Sequence, residues 1–252
     1  MRVAITGATG NVGTSVLDAL ANDPAVDSIV GIARRTPEGR VPKTTWVAAD
    51  VTTSDLVPHF SGADVVIHLA WLIQPSRDLE LMRRTNVDGS LRVFEAVAQA
   101  RVPALVYASS VGAYSPGPKE TLVDESWPAR GIATSFYSRH KGEVEAGLDE
   151  FERAHPQIRV VRLRPALIFK KESGAEVRRL FFGPLLPNFA LRPRLIPVIP
   201  NLEGVRFQAV HSLDVGQAYR LAAMSDVRGA FNITADPILD FPTIARILDA
   251  RP

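Results

Sequence analysis

Val3-Ala4-Ile5-Thr6-Gly7-Ala8-Thr9-Gly10-Asn11-Val12-Gly13 decides how the rest of the chain is read. Val3 to Ile5 is a short apolar run with two β-branched residues, the signature of a buried strand. Glycines follow at 7, 10 and 13. Ser15 to Leu20 then puts Val16, Leu17 and Leu20 on one helical face. Strand, glycine turn and helix together are the context that a dinucleotide-binding fingerprint requires. In that fingerprint Gly7 makes the tight turn, Gly10 admits a pyrophosphate to the backbone, and Gly13 lets helix and strand pack closely. The helix N-terminus offers N–H groups and partial positive charge to the phosphates. An ordinary glycine-rich turn is the plainer reading, and the flanking strand and helix argue against it.

Working outward, the 252 residues fit one large domain, or one domain with a small appendage. An apolar fraction of 46% is ample for a core. The 29 basic and 27 acidic residues leave a net charge of only +2, and no basic block points to nucleic acid. The absence of cysteine excludes disulfides, thiol catalysis and cysteine–metal sites, and it fits a cytoplasmic protein. No metal site is read from the sequence. A strand so close to Met1 leaves no room for a signal peptide. The most apolar later stretch, Phe181 to Pro200, holds Arg192, Arg194 and five prolines, so no membrane helix is expected.

Further strands are expected at Ser28–Ala33, Thr45–Ala49, Ala63–Leu69, Ala104–Ala108 and Ile158–Leu163. Helical spacing runs through about 78–100 and 136–154, and again through Ser212–Ala223 and Asp240–Ala250. Strands alternating with helices imply βαβ units and a parallel sheet. Between 170 and 205 the chain turns rich in proline, arginine and large apolar residues. This stretch is read as an irregular substrate lid, or else as an excursion covering exposed core.

An acidic residue about 20 positions beyond the fingerprint holds the ribose of NAD. Here that place reads Ala33-Arg34-Arg35. Two guanidinium groups suit a 2′-phosphate by charge and fork geometry, so NADP(H) is favoured and NAD(H) is the alternative. The plainer reading makes both arginines solvated loop residues. Asp50 ends the third strand at the sheet's carboxyl edge, where ligands bind; it accepts from an adenine amino group or caps the turn that follows. Tyr137 and Lys141, at i and i+4, share a helix face. A nearby ammonium lowers a phenol's pKa, and a phenol so tuned passes protons to or from a substrate oxygen. Ser110, just past the fifth strand, is placed to orient that oxygen. An isolated Tyr-xxx-Lys pair also arises by chance.

Taken together, Thr6 to Gly13, Asp50-Val51, His68-Leu69-Ala70, Asn86-Val87-Asp88-Gly89, Ser109 to Tyr114, Tyr137 to Lys141 and Arg164-Pro165 resemble the extended short-chain dehydrogenases/reductases, the NAD-dependent epimerase/dehydratase family. The resemblance implies an α/β fold, a Rossmann-like doubly wound parallel sheet with a small C-terminal substrate region. It divides the chain into a dinucleotide-binding core, 1–165, and a mainly substrate-binding region, 166–252, interleaved with that core. It implies Tyr137 as acid/base, Lys141 on the nicotinamide ribose, and Ser110 on the substrate oxygen. Gly7, Thr9, Gly10, Asn11, Val12, Gly13, Arg34, Arg35, Asp50, Val51, Leu69, Ala70, Asn86 and Pro165 complete the expected cofactor site.

Pro165 stands where nucleotide-sugar enzymes of that family usually carry Asn, and Phe169-Lys170-Lys171 where they carry Tyr-Gly-Pro. These departures speak against a nucleotide sugar. Ala33-Arg34-Arg35, which suits an exchangeable NADP, favours an oxidoreductase moving hydride between nicotinamide and a carbonyl or alcohol. The apolar 170–205 stretch favours an apolar or mixed substrate, and an NAD-dependent sugar-nucleotide epimerase or dehydratase is the alternative. A non-catalytic dinucleotide sensor is a third reading, which the Ser110, Tyr137 and Lys141 set disfavours. The family's four-helix interface implies a homodimer, for which Leu81, Phe94, Val144 and Leu148 would supply apolar surface.

Overall fold

The computed structural model describes residues 1–73, 78–118, 121–171 and 204–247. Seven strands form one sheet: β1 (Arg2–Thr6), β2 (Ser28–Ala33), β3 (Thr44–Ala48), β4 (Val65–His68), β5 (Ala104–Ala108), β6 (Arg159–Pro165) and β9 (Gly229–Ile233). Their order is β3-β2-β1-β4-β5-β6-β9, and every pairing is parallel. The order reverses between β1 and β4, and ligands bind at such a switch point, outside the carboxyl ends of the strands.

Helices cover both faces. On one face lie α1 (Asn11–Ala21) and α6 (Ser212–Met224). They cross tightly because small residues meet: a Cβ on Gly216 would stand 2.5 Å from the Ser15 carbonyl oxygen. Ser15 Oγ also donates to Ser212 Oγ at 3.2 Å. On the other face lie α2 (Val57–Phe60), α4 (Gly89–Gln99) and α5 (Phe136–Ala154), over a core that includes Phe60, Phe94, Tyr107 and Leu148. Truncating such a side chain to alanine typically costs about 2–5 kcal/mol.

The helical pattern expected over 78–100 is not one helix. It divides into α3 (Leu79–Arg83), a π-helical turn (Arg84–Asp88) and α4. The apolar spacing runs through the turn unchanged, so periodicity does not disclose it. The expected final helix is present as α7 at Phe241–Ile247, and its expected last residues, 248–250, lie outside the described residues. A second sheet, not anticipated, has the order β10-β8-β7, from β7 (Leu167–Phe169), β8 (Arg206–His211) and β10 (Ala235–Asp240). The chain beyond residue 165 thus builds this small sheet and also returns β9 and α6 to the large one. Most of the expected lid, 172–203, lies outside the described residues.

The apolar residues expected at a dimer face correct that expectation. Phe94, Val144 and Leu148 are buried in the subunit's own core, because α4 and α5 pack their apolar stripes onto the sheet. Leu81 remains exposed, as do Leu79 and Leu91.

Candidate active site

Two cavities meet above the carboxyl ends of β1 and β4. The larger, about 640 Å³, is lined by Gly10, Asn11, Val12 and Gly13 from the fingerprint, by Leu69 and Trp71 after β4, and by Ser110, Tyr137, Lys141 and Pro165. The smaller, about 200 Å³, is lined by Thr9, Arg34, Asp50, Val51 and Ala70. Gly7, Gly10, Leu69 and Trp71 wall both. Residues from seven widely separated stretches therefore converge on one trough.

The fingerprint turn fits an anion. Gly7 takes φ +74°, and a Cβ there would lie 2.6 Å from the Ala70 nitrogen. A Cβ on Gly13 would strike the Gly7 carbonyl oxygen at 2.4 Å, so helix and strand approach as expected. The N-cap residue of α1, Gly10, has no side chain to cap the helix, and the first turn holds no acidic residue. The leading N–H groups of a helix lack intrahelical acceptors and attract negative charge. This end could hold a dinucleotide's diphosphate, for which Arg34 and Asp50 would line the adenosine side and Tyr137 the nicotinamide side.

Asp50 Oδ1 accepts from both the N–H and the hydroxyl of Thr52, at 2.8 and 2.7 Å. These bonds and the nearby Arg34 charge outweigh burial and hold its carboxyl below the usual carboxylate range. The carboxylate thus secures the turn while lining the smaller cavity. Arg34 is exposed at the rim of that cavity. Arg35 is exposed and lines neither cavity, so only one of the two expected guanidinium groups stands at the site. Asn86 lines neither cavity either. The π-helical turn carries its carboxamide to Leu72, where Oδ1 accepts from the backbone N–H at 2.7 Å and Nδ2 donates to the carbonyl at 3.0 Å. Turns of this kind recur at functional sites.

At the other end, Ser135 caps α5 by accepting from the Ser138 N–H, and Tyr137 follows in the first turn. Ser110 caps the short turn Val111–Ala113, its Oγ accepting from the Gly112 N–H at 3.0 Å. The two elements are tied by Ser138, whose Oγ donates to the Gly112 carbonyl at 2.6 Å. Gly112 has no room for a Cβ, which would come 2.9 Å from the Tyr137 ring. The Ser110 hydroxyl stands beside the Tyr137 phenol and favours its charged form.

Burial pushes the Tyr137 phenol up, and the Ser110 hydroxyl only partly offsets this. The expectation of a lowered phenol pKa is therefore corrected: the Lys141 ammonium is not directed at the hydroxyl. It donates to the Ala108 carbonyl at 2.6 Å and to Tyr107 Oη at 3.4 Å, and it lies 3.4 Å from the centroid of the Trp71 ring. Burial lowers the Lys141 pKa well below its usual value, and the Glu145 charge opposes that.

Behind this pair stands a buried ion network that the sequence reading missed. Glu145, one turn beyond Lys141, accepts from Arg164 Nε at 2.9 Å, from Arg164 Nη2 at 3.0 Å and from Arg162 Nη1 at 3.0 Å. Ser109 Oγ donates to it at 2.5 Å. Burial favours the neutral acid, but these donors hold its carboxyl below the usual range. Arg162 and Arg164, set in the otherwise apolar run Val160–Pro165, were the available signal, since buried charges are found paired.

The match to a family model extends over residues 3–234, and that model describes the NAD dependent epimerase/dehydratase family. The chain belongs to this family. Among curated relatives, it is 36% identical over 110 residues to an L-arabinose 1-dehydrogenase (NAD(P)(+)) of Haloferax volcanii, covering 43% of this chain and 41% of that one. It is 31% identical over 125 residues to a decarboxylating sterol-4-alpha-carboxylate 3-dehydrogenase of Candida albicans, covering 49% and 34%. The chain thus spans well under half the length of these two relatives. A solved UDP-N-acetylglucosamine 4-epimerase from Methanobrevibacter ruminantium, in complex with UDP-N-acetylmuramic acid, superposes with a TM-score of 0.80 at 22% identity, covering 99% and 82%. At that identity the likeness concerns the fold.

Proposed function

We propose that this family member is an NADP(H)-dependent oxidoreductase that interconverts a carbonyl and an alcohol on a small apolar substrate. The observation that carries this reading is the convergence of Ser110, Tyr137 and Lys141 with the fingerprint glycines on a single cavity. Bound nicotinamide would supply or accept the hydride. Tyr137 gives the proton to the carbonyl oxygen in reduction, and burial, by raising its pKa, keeps the phenol protonated for that task. Ser110 orients the same oxygen. Lys141 sits within reach of the nicotinamide ribose.

The preference for a 2′-phosphate rests on Arg34 beside the smaller cavity, with no carboxylate in Ala33-Arg34-Arg35 at the end of β2. The Haloferax relative, whose name carries NAD(P)+, supports a tolerant cofactor site. The substrate class rests on Leu69, Trp71, Val111, Phe136, Leu167 and Phe169 around the catalytic cavity. Residues 166–252, which supply the three strands of the small sheet, serve mainly as the substrate region. We also propose a homodimer through the face of α3 and α4, where Leu79, Leu81 and Leu91 are exposed. Light scattering should then give twice the 27.4 kDa chain mass, and the single-chain mass at micromolar concentration would refute it.

The decisive experiment identifies the cofactor retained on purified protein by mass spectrometry. It is followed by assay against apolar ketones and aldehydes, with a nucleotide sugar alongside. Net NADPH consumption with an apolar carbonyl is expected. Stoichiometric retained NAD and turnover of the nucleotide sugar without net redox change would replace this reading with an epimerase or dehydratase.

A further inference from the structure

Trp71 stands between the two cavities and touches both members of the Tyr137–Lys141 pair. Its ring meets Tyr137 edge-on, centroids 5.9 Å apart at 75°. Lys141 Nζ lies 3.4 Å from its ring centroid, against 5.1 Å for Tyr107 and 6.0 Å for Tyr137. The backbone on either side is fixed. Ala70 packs against Gly7, and Leu72 is held at N–H and carbonyl by Asn86. The indole Nε1 is buried with no hydrogen-bond partner among the described residues. The ring is therefore engaged through its face and edge, not through its N–H.

We propose that Trp71 is a positioning residue for catalysis, whose indole face seats the Lys141 ammonium and sets where it stands relative to Tyr137. An ammonium taken out of water has few neighbours that favour its charge, and an aromatic face is one, strongest for Trp. At Lys141 the carbonyl of Ala108 fixes one N–H direction at 2.6 Å, and the indole closes the side toward the cavities. Without the ring, Nζ is free to swing into the larger cavity and loses its fixed distance from the phenol. The inference rests on Tyr137 and Lys141 being the reactive pair.

The test has one arm that needs no substrate. The chain has five lysines, so the ¹³Cε-lysine NMR spectrum is simple, and Lys141→Arg identifies the Lys141 signal by its loss. Protons above an aromatic face are shielded, so the Lys141 ε-protons should resonate upfield of the other four sets. Trp71→Leu should abolish that displacement and weaken NADPH binding several-fold. Trp71→Phe should keep much of the displacement and restore binding. In turnover, Trp71→Leu should lower kcat about tenfold with little change in KM, and Trp71→Phe should recover it. Trp71→Met replaces the leucine variant if that one does not fold. A wild-type Lys141 signal among the other lysines overturns the inference. So does a raised KM at unchanged kcat, which would make Trp71 only a pocket wall, or equal losses in the Phe and Leu variants. If no carbonyl is turned over, the proposed activity fails instead, and the spectrum and NADPH affinity decide the role of Trp71.

Discussion

Asn86 grips Leu72 at both of its backbone polar groups, across fourteen residues of chain and from inside a π-helical turn. The carboxamide matches donor to carbonyl and acceptor to N–H, so it holds the segment after β4 as a neighbouring strand would. That segment carries Leu69, Ala70 and Trp71 into the two cavities. Asn86→Ala removes both bonds and leaves a partly buried N–H and carbonyl without partners, a cost of about 1–3 kcal/mol. A lower urea midpoint and weaker cofactor binding are expected together. Loss of stability with unchanged cofactor affinity would show that the clamp does not shape the site.

Arg34 is the guanidinium that reaches the smaller cavity, and Arg35 is not. Arg34→Asp should narrow or reverse the preference for NADPH over NADH by about 1–3 kcal/mol, the range for a charged hydrogen bond. The effect should shrink as salt is added, because Arg34 is exposed. Arg35→Asp should change the preference far less. Equal effects of the two substitutions, read from dissociation constants by nicotinamide fluorescence, would mean that both act only through net charge.

Glu145 is 2% exposed and faces two arginines that are 6% and 4% exposed. Removing one partner of such a network strands the other charges, and Glu145→Ala should cost about 3–5 kcal/mol in urea unfolding. Adding Arg164→Met to Glu145→Ala should recover part of the loss by removing one stranded guanidinium. A double variant less stable than the single one would argue that Arg164 contributes mainly through Tyr114 Oη and the Glu125 carbonyl, which it also reaches at 3.1 and 2.9 Å.

The contrast between Arg34 and Glu145 shows where sequence reading works. Gly7, Gly10 and Gly13 announce a turn because strand, turn and helix are local patterns, and Tyr137 and Lys141 are neighbours on one helix. Expected strand limits accordingly agree with β2 and β5 residue for residue. Contacts between distant segments leave weaker marks. Arg162 and Arg164 find Glu145 only because β6 lies under α5, 17 and 19 residues away. The turn around Asn86 is invisible because its apolar spacing matches that of an α-helix. Leu167–Phe169 went unread as a strand because it is three residues long and largely exposed. The Lys141 ammonium was expected at the phenol because i and i+4 spacing fixes a shared face, but it does not fix which atoms compete for a flexible side chain.

His68 lies at the end of β4 with Nδ1 hydrogen-bonded to Thr6 Oγ1 at 2.6 Å and Nε2 to Ser90 Oγ at 2.9 Å. Burial, with a contribution from the Lys141 charge, lowers its pKa to about 3 from 6.5. The unfolded chain therefore binds a proton at this ring that the folded chain refuses. The resulting stability is fully present above about pH 6.5 and is lost as the pH falls toward 3, with a slope of up to about 1.4 kcal/mol per unit. Between pH 6.5 and 5, before most carboxylates titrate, urea unfolding should show this slope. A His68→Gln variant should flatten it. An equal slope in the variant would assign the acid sensitivity to other groups.

Tyr137 is where the proposed chemistry stands or falls. A correctly placed general acid contributes roughly 10²–10⁴-fold, so Tyr137→Phe should lower turnover by about that factor. Cofactor affinity should hardly change, because the fingerprint turn and the smaller cavity are untouched. Ser110→Ala should act mainly on turnover, and also on the phenol, by removing the hydroxyl that partly offsets burial. Lys141→Ala should damage turnover and cofactor binding together. Because burial raises the Tyr137 pKa, the phenol remains a proton donor up to at least its ordinary value of about 10. The reductive rate should therefore not fall through the deprotonation of Tyr137 anywhere between pH 7 and about 9. The oxidative direction, which needs the phenolate as base, should rise with pH over the same range. Unchanged turnover in Tyr137→Phe, on whichever substrate the wild-type protein accepts, would remove the acid/base assignment and leave a dinucleotide-binding fold whose chemistry lies elsewhere.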